Sequence, residues 1–445
     1  MASDLLSIAR SGTRAARAAL DVTAQNISNA SSEGYVRRSV RLEEVSASGG
    51  VGRVGDISLS GVRVAGIVRN ADLFRQSEVR RTGADFARAD AEVNGLDNIQ
   101  SALEQTRVYE SVVQFESSLQ QLLSDPTDGS LRASVVEGAR TMANTFNVAS
   151  SSLDAVGQGL RFEAGDGVDQ VNLLAGELAR VNLRLARAAD ASSDQSTLLD
   201  QRDSLLRQLS DHVDIAAAIS PDNTVEVRIG GTAGPQLVAG GTAGTMAMAT
   251  AADGTISFTL DGNAVTPASG ALAGQGQALT KLAQVRTSLD TIASDVIDAV
   301  NTAQAAGVDL DGTAGQPLFS GTGASDIAVV QSDGRKLATA PAGAGANSRD
   351  PTNLVGLRQA LAGTDPAGQM DALLFDVSSE VAGRTVTRDA LDSIASTAKV
   401  ALQAQAGVDL DQEAVNLIRF QQAFQASGRV MQVASDIFDT LLGIR

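Results

Sequence analysis

The 445 residues offer few side chains able to make or break bonds. There is one histidine, His212, and no cysteine, so the chain has no thiol nucleophile and no thiolate metal ligand. A zinc ion at His212 would need carboxylates for all its other ligands, and a residue at a helix end is the better reading. Asp309, Asp311 and Gly312 open like a calcium loop, but Gly315 and Gln316 stand where further ligands belong. Asp200, Asp203 and Glu177 could serve as acid and base across a cleft; they are read instead as carboxylates on a solvated helix face. Lys281, Lys336 and Lys399 lie in no glycine-rich phosphate cradle. Arg37, Arg38 and Arg41 beside Tyr35 make a small basic cluster suited to ion pairs or an interface rim. Nothing here points to an enzyme, a cofactor or a metal.

The totals narrow the partners. A net charge of −17 and a pI near 4.5 argue against a general nucleic-acid or anionic-membrane binder. Aromatic residues make up 3% and tryptophan is absent, which disfavours a sugar- or base-stacking groove and suits Ala/Leu/Val helix packing. No window is long and apolar enough to span a bilayer. The start, with Asp4 and Arg10, lacks the apolar core of a secretory signal, so any export is expected without a cleaved signal peptide. A cysteine-free chain suits export in an unfolded state. The length suggests two to four domains.

With no chemistry to position, the strongest patterns are structural and sit at the two ends. Over residues 408–445, Leu410, Leu417, Phe424, Met431 and Phe438 recur every seventh place, with Leu442 closing the series. Ala414, Gln421, Gly428 and Ser435 alternate with them as small or polar residues. A strict seven drifts by about 20° per heptad against a straight helix, so the run asks for left-handed winding around a partner. A second line, Val415, Ile418, Val430, Val433, Ile437 and Leu441, widens the apolar face beyond one neighbour. At residues 2–30 a matching run of mostly small residues appears: Leu5, Ile8, Gly12, Ala15, Ala19, Val22 and Asn26. Small residues complement large ones, and the two ends are expected to pair.

Between the ends, the polar loop at 29–35 carries Gly34, suited to a positive φ. Alternation through Val36, Val40, Leu42, Ile57, Leu59, Val62, Val64 and Ile67 predicts extended segments around a glycine-rich loop at 46–55. Helices are expected over 72–123, 130–160, 167–189 and 193–209, then strands at 213–215, 224–229, 236–238 and 255–260. Helix returns over 272–306, 354–361 and 369–406, with a weak strand at 326–330. Gly307 and Gly407, each opening Gly-Val-Asp-Leu-Asp, read as helix C′ residues, and Asp409 with Gln412 as a capping box. The expected architecture is mostly α with a central β insertion, elongated and multi-domain. Its parts are a terminal coiled-coil segment (1–34 plus 408–445), an extended hairpin and helical bundle (35–212 plus 272–407), and a small all-β domain (213–271).

Two stretches carry a resemblance. Residues 20–35, with Asn26, Asn29, Gly34 and Tyr35, and residues 407–426, with Asn416, Phe420 and Gln421, are similar to the flagellar rod, hook and hook-associated axial proteins. Residues 61–74 and the Asp200-Gln201-Arg202 segment resemble the hook-associated branch, and the likeness covers roughly 2–238 and 279–442. Ser32-Glu33-Gly34-Tyr35 departs from the usual Thr-Pro-Gly-Tyr turn but keeps its glycine and tyrosine. The centre is shorter than in some relatives, which puts an outer surface domain in doubt. The resemblance implies an extracellular structural subunit of the bacterial flagellum, exported unfolded by the type III route with a dedicated chaperone. It further implies a closed homo-oligomer of about eleven copies joining hook to filament, in contact with the hook protein and a second hook-associated protein. Another axial component, of hook, rod or filament type, is the alternative. It implies no cofactor, metal, nucleic acid or membrane. In that setting the seam residues Leu5, Ile8, Ala15, Val22, Leu410, Leu417, Phe424, Met431, Phe438 and Leu442 would complete their burial against other copies.

Overall fold

The computed structural model describes residues 2–32, 34–46 and 59–443. In chain order it runs α1 (Ala2–Ser28), a hairpin of β1 (Arg38–Ser46) and β2 (Leu59–Arg69), α2 (Leu73–Thr106), α3 (Val108–Leu122), α4 (Gly129–Leu185) and α5 (Ser193–His212). Short strands follow: β3 (Ile215–Ile219), β4 (Val225–Ile229), β5 (Gln236–Ala239), β6 (Thr242–Ala243), β7 (Met246–Thr250), β8 (Ile256–Leu260) and β9 (Asn263–Val265). Then come α6 (Ala271–Ala305) and the two-residue strands β10 (Gly307–Val308), β11 (Phe319–Ser320), β12 (Ala328–Val329) and β13 (Ala340–Pro341). The chain finishes with α7 (Thr352–Thr364), α8 (Pro366–Ala406) and α9 (Leu410–Gly443). The fold is mostly helical with small open sheets. Ile57 and the loop expected beyond Ser46 lie outside the described residues.

The chain forms two compact units. One holds Met1–Ala84, Gln170–Met246 and Asp392–Arg445. Here α1 packs against α9, the pairing expected of the two ends, and the sense is antiparallel, with Gly12 beside Ser427 and Asn26 beside Glu413. Ala15, Ala19 and Val22 are buried, and Gly12 comes so close that an added Cβ would stand 2.9 Å from Ser427 Oγ. The hairpin pairs Arg38 with Arg69 in antiparallel register and lies on α1, where the Val62 amide donates to Ser11 Oγ (3.1 Å). Strands β3, β4, β5 and β6 form one sheet in that order, with Val225, Val227 and Ile229 turned inward. Asn182 of α4 closes this sheet, accepting from the Val225 amide (3.0 Å) and donating to the carbonyls of Val225 (2.8 Å) and Gly240 (2.9 Å).

The other unit holds Asp85–Asp169 and Ala247–Leu391. Its apolar core draws Leu96, Ile99 and Leu103 from α2, Phe115 and Leu119 from α3, Met142 and Phe146 from α4, Leu289 and Val296 from α6, and Leu357 from α7. Phe115 meets Phe319 edge to face, centroids 6.0 Å apart. The helix expected over 72–123 breaks at Arg107, whose φ of 55° is left-handed. Conversely, the expected helices at 130–160 and 167–189 are one helix of 57 residues. Glycine inside a helix costs only about 1 kcal/mol. The buried Ala164 and Val168 keep the apolar stripe running past Gly165 and Gly167. Strands β7, β8 and β9 make a separate three-stranded sheet.

Gly307 and Gly407 do follow helices, but neither is left-handed; they answer to crowding instead. A Cβ would collide with Asn353 and the Ala340 carbonyl at the first, and with the Gln403 carbonyl at the second. Gly34 does take the positive φ expected of it, at 79°. The Asp409 carboxylate caps α9 by accepting from the Gln412 amide (3.2 Å).

The irregular stretch around 307–341 is pinned by one cation. Arg132, 0% exposed, donates to the carbonyls of Pro126 (2.5 Å), Gly334 (3.0 Å) and Leu337 (2.9 Å) and to Thr339 Oγ1 (2.5 Å). Burial, with the nearby Arg335 charge, pulls its pKa down to about 10, against the upward pull of Asp309 and Asp333. Asp309 and Asp311, which open like a calcium loop in sequence, face a cation of the chain itself. Lys336 sits 3.2 Å and 2.9 Å from them, supplying the positive charge they would otherwise want. Arg132→Met keeps the bulk of the side chain and removes every donor, stranding three carbonyls. It is expected to cost about 3 kcal/mol in urea unfolding followed by circular dichroism; a loss below roughly 1 kcal/mol would refute this account.

Candidate functional site: a buried polar junction and an open helix face

The signature residues at the two ends and in the middle of the chain converge. Asn26, 1% exposed on α1, accepts from the Tyr35 hydroxyl (2.9 Å) and from the Arg38 amide (3.0 Å). It donates to the Arg38 carbonyl (2.9 Å) and to Glu413 Oε2 of α9 (3.2 Å). Glu413 is itself buried and takes Arg37 Nε at 2.7 Å. One amide thus ties both terminal helices to the base of the hairpin.

Next to it lies an ion cluster. The strands present Arg38 and Arg69 to α5: Arg38 reaches Asp200 (2.7 Å), and Arg69 reaches Asp200 (2.8 Å) and Asp203 (2.7 Å). Arg202, 2% exposed, grips Asp203 Oδ1 through two nitrogens (3.0 and 2.7 Å) and donates to the Asn223 carbonyl (2.9 Å). Gln76 donates to Asp203 Oδ2 (3.0 Å), and the Arg38 guanidinium stacks 5.2 Å from the Tyr35 ring centre. The solvated face expected for Asp200 and Asp203 is therefore a buried one. Apart from the adjacent Arg202, their partners stand 127 to 162 residues away, beyond the reach of local pattern. A local signal did exist: Leu198, Arg202, Leu205 and Leu209 are all buried at helical spacing, placing Arg202 in the apolar stripe itself.

Burial and charge pull the two carboxylates apart. Burial pushes Asp200 above its ordinary value, outweighing the opposing pull of Arg69 and Arg38. Asp203 is more deeply desolvated, yet Arg202 and Arg69 hold it below the usual carboxylate range. Burial also pushes the Tyr35 phenol up, so it remains a donor.

Other signature residues are ordinary. Gln201 and Gln421 are exposed, Asn29 caps back onto the Gln25 carbonyl (2.9 Å), and Asn416 and Phe420 are half-buried. Among the seam residues, Ala15 and Val22 are buried, Ile8, Leu417 and Met431 half-buried, and Leu5, Leu410, Phe424 and Phe438 exposed; the Leu442 side chain lies outside the described residues. On α9 the buried companions are Glu413 and Ala434, with Phe420 and Ser427 half-buried between them, one residue off the small line Ala414, Gln421, Gly428 and Ser435. Those four are exposed. The second apolar line stays open: Val415, Ile418, Val430, Val433 and Ile437 are 42% to 60% exposed.

Paired terminal helices fixed by a polar joint, with one apolar flank left open, define a structural protein made to pack against others. Family models agree. The helical domain of the flagellar hook-associated protein FlgK matches residues 93–319, the C-terminal model of the basal body rod FlgEFG proteins matches 403–444, and the basal body rod model matches 6–35. Flagellar hook-associated protein 1 of Bacillus subtilis is 26% identical over 499 residues, covering 98% of this chain and 97% of that one. Its Escherichia coli namesake is 26% identical over 555 residues, covering both chains fully (100% each). The flagellar hook junction protein FlgK from Burkholderia pseudomallei superposes with a TM-score of 0.46 at 22% identity, over 54% of this chain and 46% of that one. The chain belongs to the flagellar hook-associated protein 1 family, within the axial protein superfamily. It is a structural component of the extracellular flagellar axis, working among other axial proteins. No described helix is long and apolar enough to cross a membrane.

Asp203→Asn leaves Arg202 and Arg69 short of a charge and is expected to cost roughly 3–5 kcal/mol at neutral pH, more than Asp200→Asn. The signs differ with pH. The depressed Asp203 stabilises the fold above its unfolded value, and that stability is lost as pH falls through the folded one. The raised Asp200 costs stability above its folded value, and acidification relieves that cost. Urea midpoints across an acid series should therefore fall less steeply in Asp203→Asn than in the native chain, and more steeply in Asp200→Asn.

Proposed function

We propose that this chain is the subunit that joins hook to filament: a homo-oligomer, of about eleven copies in the family's pattern, seated between the hook protein and a second hook-associated protein. The observation that carries this reading is the open flank of α9, where five large aliphatic side chains stand exposed beside a helix pair already formed. Apolar surface of that extent is costly in water and is relieved when like chains pack together. Residues 1–34 plus 408–445 then line an inner tube, residues 35–212 plus 272–407 form the body around it, and 213–271 face outward. Leu5, Leu410, Phe424 and Phe438 complete their burial against neighbouring copies, with Ile8, Ala15, Val22, Leu417, Met431 and Leu442 holding the seam. Before assembly the same α9 face is held by an export chaperone, and the chain leaves unfolded by the type III route.

Deleting the gene should leave hooks present, filaments absent and flagellin released into the medium, seen by electron microscopy; normal filaments would overturn the assignment. Ile418→Asp with Val433→Asp should leave the monomer's circular dichroism unchanged and fail to restore filaments. Removal of residues 417–442 should abolish chaperone binding.

A further inference from the structure

The apolar flank explains why copies would adhere but not in what register. Charge does. Arg10, Arg14 and Arg17 recur at helical spacing on α1, opposite the side that meets α9, and all three are exposed. Among the described residues no carboxylate is paired with them. Residues 431–440 of α9 hold two charges, Asp436 and Asp439, both negative and exposed, and neither has a cation among the described residues.

Within one molecule these groups do not meet. The antiparallel pair sets Gly12 beside Ser427 and Asn26 beside Glu413, which puts the three arginines level with residues 422–429 on the far side of α1. The carboxylates lie further along α9 by roughly 18 Å, at about 1.5 Å per residue. A second copy displaced along the helix axis by that distance brings its Asp436 and Asp439 level with the arginines of the first.

We propose that neighbouring copies pack with this stagger, the Arg10–Arg14–Arg17 stripe of one α1 facing Asp436 and Asp439 of the next α9. The displacement makes the contact heterologous, with different patches meeting, so that each copy offers an arginine stripe on one side and carboxylates on the other, neither paired among the described residues. Exposed ion pairs add little affinity; they select register and disfavour sliding, while the flank of Val415, Ile418, Val430, Val433 and Ile437 supplies adhesion. This rests on the self-packing reading above and supplies the geometry that reading lacks.

The natural chain has no cysteine, which makes a cross-linking test clean. Arg14→Cys with Asp436→Cys, expressed in the deletion strain, should give a ladder of disulfide-linked oligomers from isolated flagella after mild oxidation. Arg14→Cys with Gln425→Cys, level with each other in one copy and on outward faces, should give none. In parallel, Arg14→Glu with Arg17→Glu should lower filament number at least tenfold, and adding Asp436→Arg and Asp439→Arg should restore it. A ladder from the Gln425 pair alone, or no ladder from either pair in strains that still make filaments, overturns the stagger. Full activity of the Arg14→Glu, Arg17→Glu chain does so as well. Normal filaments in the deletion strain itself would instead overturn the proposed function, so the two failures are distinct.

Discussion

Three guanidiniums leave water together here, and two carboxylates leave with them. Arg38, Arg69 and Arg202 are each nearly inaccessible, and among the described residues Asp200 and Asp203 neutralise them within hydrogen-bonding distance. A buried pair of this kind gains little stability over an apolar substitute. What it contributes is position, because any other docking of the hairpin on α5 strands a charge. The hairpin base is therefore held in one place, and Asn26 and Glu413 extend that constraint to the two terminal helices.

The helix pair beyond that joint is secured differently. Its α1 side is built from alanines and Gly12, which permit close approach but bury little area each. The pair is fixed at its joint by Asn26–Glu413 and comes close further along, where Gly12 meets Ser427. The large α9 residues respond unequally: Leu417 and Met431 settle toward α1, while Phe424 and Phe438 remain largely open.

The ends of the chain were legible because a heptad is a local pattern that survives without knowledge of the partner. Ala15 and Val22 are buried and Met431 half-buried, while the α9 companion line sits one residue earlier than expected, with Glu413 drawn inward by Asn26 and Arg37. Long helices were legible in kind but not in extent. The gap expected between 160 and 167 is helix, carried through by buried neighbours, whereas Arg107, with no warning residue type, breaks a helix. The junction was illegible as a unit because its charges lie far apart in sequence and because charged residues on a helix ordinarily face water. The signal that was present, an arginine occupying the place of a leucine in an apolar stripe, holds for Arg202 and again for Arg132, which precedes Val135, Val136 and Ala139. In both cases a buried cation fastens a distant segment: a turn at Asn223 in the first, the 334–339 stretch in the second.

That recurrence bears on how this chain divides its labour. Buried charge, costly to misplace, is used where one conformation is required, inside each compact unit. Apolar surface, tolerant of sliding, is left on α9, where different neighbours must be met. Nonpolar contact alone would let the flank adhere in several registers, each burying similar area at about 25 cal/mol per Å². Exposed charges, individually weak, are suited to choosing among registers of nearly equal apolar energy, since a few mismatched pairs tip a balance that burial leaves level. In the joint, buried ions fix one arrangement; exposed charges of the same kind could at most select among arrangements that burial leaves equal, and solvent exposure sets that difference.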